Sequence, residues 1–156
     1  MLCMKILAVT NMYPSIEDPD SGVFVEQQIA GLRAIGIEVE IVLVDRRSKG
    51  PFVYYQGFQR AVRHSLEAFE PDIVHCMYGG VMADRLVHMD GLPPVIVTFQ
   101  GTDLMGERAS WFLRRMLTRH GVVCSIRAAI RSAAIIVVGS KMVHYLPESV
   151  RSKTNI

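Results

Sequence analysis

Cysteine is scarce: Cys3, Cys76 and Cys124 are odd in number and far apart in the 156-residue chain. That excludes a disulfide framework and a C-x-x-C metal or redox pair, and it points to a reducing, cytosolic compartment. Long apolar runs are missing as well. The opening MLCMKILAV is broken by Thr10 and Asn11, too early for a secretory h-region or a membrane span; Met4 is an alternative start. Charged residues make up only 21% of the chain, with a net charge of +2. A nucleic-acid partner is therefore not expected, and any basic surface is local. No His, Cys or carboxylate spacing suits a closed metal site, so neither a metal nor a resident cofactor is expected. Repeats and low-complexity tracts are also absent.

Half of the residues are apolar, enough to bury one core, and residues 1–156 are expected to form a single domain. A mean hydropathy of +0.25 suggests some apolar surface that meets a partner. Five β-type runs occur at 5–9, 38–44, 72–76, 95–99 and 134–138. Most are continuously apolar, the pattern of strands buried on both faces of a parallel sheet. Helical patterns lie between them. Val25, Ile29 and Leu32 are spaced i, i+4, i+7, with Gly36 where a left-handed cap would sit. Phe58, Val62, Leu66 and Phe69 form a second stripe ended by Pro71. Further helices fit 81–89, 108–119, 122–132 and 141–146. This alternation means an α/β, Rossmann-like, doubly wound parallel sheet, with an expected strand order of 3-2-1-4-5. In that order the sheet reverses between its first and fourth strands. Gln100, Gly101, Thr102 and Asp103 would then form the lip of a ligand crevice opposite the long loop 11–22.

Several residues there can carry chemistry. Ser21 and Gly22 precede a helix whose free N–H groups could hold a diphosphate, although an ordinary Ser cap or tight turn with no ligand is the commoner use of these residues. Asp103 can accept from a sugar hydroxyl or from backbone amides in an Asx-turn. His75, at the end of the third run, is followed by Tyr78, Gly79 and Gly80, a second candidate ligand loop; the alternative is a hydrogen-bonded rim or core histidine. Arg108, Arg115 and Arg119 share one side of a helix with Trp111 and Phe112 flanking them. Such a face suits anionic headgroups, its bland alternative being a solvated helix face.

The ordered segments MKILAVTNMYP, SGVFVEQQIAGLRAIGIEVEIV, PDIVHCMYGG, VIVTFQGTDL and AAIIVVGSK resemble the N-terminal domain of the family-four retaining GT-B glycosyltransferases. The resemblance runs in register over nearly the whole chain. It implies the acceptor-side half of a two-domain enzyme that moves a sugar from a UDP- or GDP-sugar to a lipid-linked or polysaccharide acceptor. The C-terminal domain that supplies the nucleotide pocket would be the missing partner. By this resemblance Ser21 and Gly22 approach the donor diphosphate, Gln100 and Asp103 are the catalytic contacts, and His75, Tyr78, Gly79, Gly101 and Thr102 meet the acceptor. Gln100 stands where the family usually carries histidine. A Gln amide donates and accepts hydrogen bonds but cannot titrate, so it would position the donor. In the front-face mechanism implied for this class, the departing phosphate takes the acceptor proton.

The expected location is cytoplasmic, with Arg108, Trp111, Phe112, Arg115 and Arg119 facing an anionic membrane. Two other readings compete. One is a stand-alone binding or regulatory module that keeps the fold without catalysis. The other is a nicotinamide- or flavin-binding domain with Asp45 on the ribose, which lacks support from any G-x-G-x-x-G loop.

Overall fold

The computed structural model describes residues 3–44, 50, 57–107 and 111–156. Its sheet is six-stranded and parallel, flanked by helices, in the order β2-β1-β3-β4-β5-β6. The strands are β1 Lys5–Thr10, β2 Glu38–Leu43, β3 Ile73–Cys76, β4 Val95–Phe99, β5 Ala134–Val137 and β6 Thr154–Asn155. The α/β class is as expected and the order is not. β3 lies beside β1, and β2 is outermost, so the reversal falls between β1 and β3. Side chains explain the exchange. β2 carries Glu38 and Glu40 and exposes Leu43, which suits an edge, whereas β3 is uncharged and buries Val74 and Cys76 completely.

The chain divides into two compact units. The first comprises Met1–Met77 and Gly91–Pro93, and holds β1 to β3 with helices α1, Val23–Ala34, and α2, Phe58–Phe69. On one side of its strands, Ile6, Ala8 and Val39 pack with Val25 and Ile29 of α1. Each of the Val and Ile side chains stabilises the fold by about 2 kcal/mol when fully buried. By the strand pleat, Leu7 and Val9 point the other way. α2 packs on β1 and β2 through buried Phe58 and Val62. Gly36, at φ 87, ends α1, and the Ile37 N–H reaches back to the Leu32 carbonyl, as the cap reading requires.

The second unit comprises Tyr78–Asp90 and Pro94–Ile156. It holds β4 to β6 with α3, Gly80–Val87, the single-turn α4, Thr102–Met105, and α5, Phe112–Arg131. Where sequence suggests two helices at 108–119 and 122–132, α5 runs unbroken for 20 residues. Gly121 is simply accommodated within it. Its second half buries Cys124, Ser125, Ala128 and Ala129, and these small residues let α3 pack closely. Residues expected as a last α-helix form a 3₁₀ helix, Ser140–Tyr145. Another 3₁₀ helix, Glu148–Lys153, leads into β6. There Lys153 Nζ donates to the Ile130 and Ser132 carbonyls at the end of α5, the cationic cap a helix C-terminus favours. Among the described residues no helix is long and apolar enough to cross a membrane.

Candidate functional site

β4 buries Val95, Val97, Thr98 and Phe99 and then meets Gln100. Gly101 follows at φ 137, a backbone conformation that L side chains rarely adopt, and the chain turns into α4. Asp103 holds this turn. The Gln100 and Gly101 N–H groups donate to its Oδ1 at 3.0 and 2.8 Å, and the Gly79 N–H donates to Oδ2 at 2.8 Å. One carboxylate, 6% exposed, therefore ties the turn after β4 to the segment entering α3. Burial raises its pKa from the ordinary carboxylate value, while the amides of Gly79, Gly101 and Gln100 pull the other way. Asp103 is expected among the reacting groups; in the structure both of its oxygens accept from backbone amides.

Ser125, fully buried on α5, braces the same junction. Its hydroxyl donates to the Asp103 carbonyl and accepts the Gly80 N–H at 2.7 Å. Sequence reasoning missed this residue, whose only signal was a serine on a small-residue helix face. The amides of Gly79 and Gly80 are thus consumed within the protein, and the Tyr78–Gly80 loop does not offer them to an anion. Polar side chains remain at the surface of this junction. Tyr78 OH and Thr102 Oγ1 lie 3.0 Å apart at an exposed position, and Gln100 is half-buried. Two hydroxyls and an amide supply donors and acceptors suited to a polyol.

The remaining expected residues lie in the first unit. The hydroxyl of Thr10, at the end of β1, donates to the Met12 carbonyl at 2.9 Å and accepts the Met12 N–H at 3.2 Å, folding back the start of loop 11–22. Gly22 caps α1 at φ 71, and a Cβ there would come within 2.6 Å of the Met12 carbonyl carbon and 2.9 Å of the Tyr13 nitrogen. Its glycine is required by the chain's own loop, whatever else approaches. Ser21 makes no side-chain cap; its N–H donates to the Asp18 carbonyl. His75 lies inside β3, paired with Ala8, and is 6% exposed. Burial lowers its pKa to about 4, so the ring is neutral at physiological pH. It is a core histidine and not part of an open loop.

Trp111, Phe112, Arg115 and Arg119 are exposed at the start of α5, while Arg108, Asp45 and the loop 45–56, except for Gly50, lie outside the described residues. The thiols of Cys76 and Cys124 are buried, and Cys124 is pushed up to about 11, chiefly by burial. A buried, protonated thiol is a poor nucleophile. Among the described residues, no three His, Cys, Asp or Glu side chains are grouped to hold a metal ion.

No protein-family model matches the chain, and no curated protein matches it. Solved structures that match include a crystal structure of a 1,3-propanediol oxidoreductase, at 19% identity and a TM-score of 0.40. The match covers 62% of this chain and 28% of that one, so the chain spans less than a third of that protein's length.

Proposed function

We propose that the chain is the acceptor-side half of a retaining glycosyltransferase that uses a UDP- or GDP-sugar and a lipid-linked or polysaccharide acceptor. The observation that carries this reading is the polar lip held by Asp103 at the carboxyl end of β4. There the exposed Tyr78–Thr102 hydroxyl pair and the neighbouring Gln100 offer hydrogen bonds to sugar hydroxyls, on a turn braced from α5 by Ser125. The ordered resemblance of five segments supports the same reading. In it, Gln100 orients the donor sugar, Tyr78 and Thr102 meet the acceptor, and the amides at the start of α1 near Ser21 and Gly22 face the donor diphosphate. The partner is a C-terminal nucleotide-binding domain.

The test is sugar transfer by the complete reading frame that carries this sequence, assayed with labelled UDP- and GDP-sugars. Gln100→Ala is expected to lower transfer about 2- to 10-fold at subsaturating donor, the equivalent of one hydrogen bond of about 0.5–1.5 kcal/mol. Unchanged rates in that variant would remove Gln100 from the site. Absence of transfer with every donor would favour the non-catalytic binding module.

A further inference from the structure

Of the residues that α5 buries, Cys124, Ser125, Ala128 and Ala129, Ser125 alone carries a hydroxyl. A serine within a helix ordinarily bonds a carbonyl of its own preceding turn, as Ser132 at the end of α5 does with Ala129 at 3.1 Å. Ser125 turns away from its helix instead. Its one proton goes to the Asp103 carbonyl and its oxygen takes the Gly80 N–H, so the rotor is fixed from both sides. The neighbouring Gly79 N–H goes to Asp103 Oδ2 at 2.8 Å. Gly79, Gly80 and Asp103 are thereby closed into one ring of hydrogen bonds through Ser125. A surface hydroxyl flanks each side of that ring. Tyr78 precedes Gly79 and Thr102 precedes Asp103, and their oxygens lie 3.0 Å apart. Ser125 itself is fully buried and touches no ligand.

We propose that Ser125 is a positioning residue of the polar lip, setting the separation of the Tyr78 and Thr102 hydroxyls and, through them, the recognition of neighbouring hydroxyls on a sugar. The sugar rests on the glycosyltransferase reading; the positioning follows from the ring of hydrogen bonds. A binding constellation has to be held to within about 0.5 Å. Tyr78 and Thr102 stand on segments 24 residues apart, so neither segment sets the spacing alone. Packing does not account for the serine. Alanine would fill nearly the same volume, yet it would leave the Gly80 N–H and the Asp103 carbonyl without this partner, at the cost of a buried unmet bond.

Ser125→Ala and Thr102→Val are compared by nuclear magnetic resonance in isotope-labelled protein, first without ligand. Ser125→Ala is expected to speed hydrogen exchange at the Gly79 and Gly80 amides roughly tenfold, leaving the Gly36 and Gly121 amides unchanged, and to weaken the Overhauser contact between the Tyr78 ring and the Thr102 methyl. Thr102→Val should leave all four amides as they are. Methyl β-glucoside is then titrated and its binding followed at the Tyr78 ring. Each single variant is expected to weaken binding by about threefold or more. The double variant should bind no more weakly than Thr102→Val, because Ser125 acts only through the hydroxyl pair. Unchanged exchange at Gly79 and Gly80 overturns the proposal, as does wild-type affinity in Ser125→Ala. Exchange that rises equally at Gly121, or additive losses in the double variant, also overturns it and makes Ser125 a support of α5. If the wild-type protein ignores the glucoside while Ser125→Ala still frees both amides and the Tyr78–Thr102 contact, the sugar-transfer reading loses its ligand and the positioning role stands.

Discussion

An ideal Cβ at Gly79 would lie 2.7 Å from Ser125 Oγ and 2.8 Å from two ring carbons of Phe99, although its φ of −74° suits any residue. The requirement for glycine is therefore one of space, imposed by the serine and the aromatic ring that hold the junction. Gly79→Ala is expected to destabilise the protein by about 1–3 kcal/mol through overpacking, read as a lower urea midpoint with unchanged slope. A wild-type midpoint would show that the junction yields. Gly101 differs in kind. A Cβ there meets only Met105 at 3.5 Å, and backbone conformation makes the demand. The glycines were legible in the sequence as a loop signal. Which amide each would present, and to which side chain, was not, because Asp103 accepts from its own turn and also from Gly79, 24 residues before it.

At the scale of the element, α5 shows how weakly local propensity limits a helix. Gly121 suggests a break, since glycine costs about 1 kcal/mol relative to alanine in a helix interior, yet burial of Cys124, Ser125, Ala128 and Ala129 carries the helix through it. A Cβ at Gly121 would meet nothing within 4 Å. Gly121→Ala should therefore stabilise the protein by about 0.5–1 kcal/mol, seen as a higher Tm; a lower Tm would mean that the helix relies on flexibility at that point. The single-turn α4 and the 3₁₀ helix Glu148–Lys153 escaped sequence reading, and Ser140–Tyr145 was legible as a helix but not as 3₁₀, because such short elements show no period and depend on the turns that deliver them.

For the molecule as a whole, His75 links stability to pH. Its folded pKa of about 4 lies below the ordinary 6.5. Above pH 6.5 both states are neutral there; as pH falls toward 4 the unfolded chain binds a proton that the folded chain refuses, and stability drops. The fall amounts to about 3 kcal/mol at most. Asp103, with its pKa raised by burial, acts in the opposite sense, contributing stability below its unfolded value of 3.8 that is lost as pH rises through the folded one. Urea midpoints between pH 7 and 4.5 should therefore decline less steeply in His75→Gln than in the wild-type protein. Parallel declines would show that His75 does not carry this dependence.

The alternation of apolar runs and helical stripes by itself determined the α/β class and placed β1 to β5 within a residue or two, because buried parallel strands and amphipathic helices carry their period locally. It also marked the turn at 100–103 and the cationic start of α5. Strand order was decided only in the tertiary structure. Continuous apolar runs are interchangeable until pairing selects which of them must tolerate an exposed edge, and Glu38 and Glu40 sent β2 there. The role of Asp103 was likewise decided by folding. A carboxylate beside a glycine turn can serve a ligand or the backbone, and the arrival of the Gly79 amide, with Ser125 bracing from α5, committed it to the backbone.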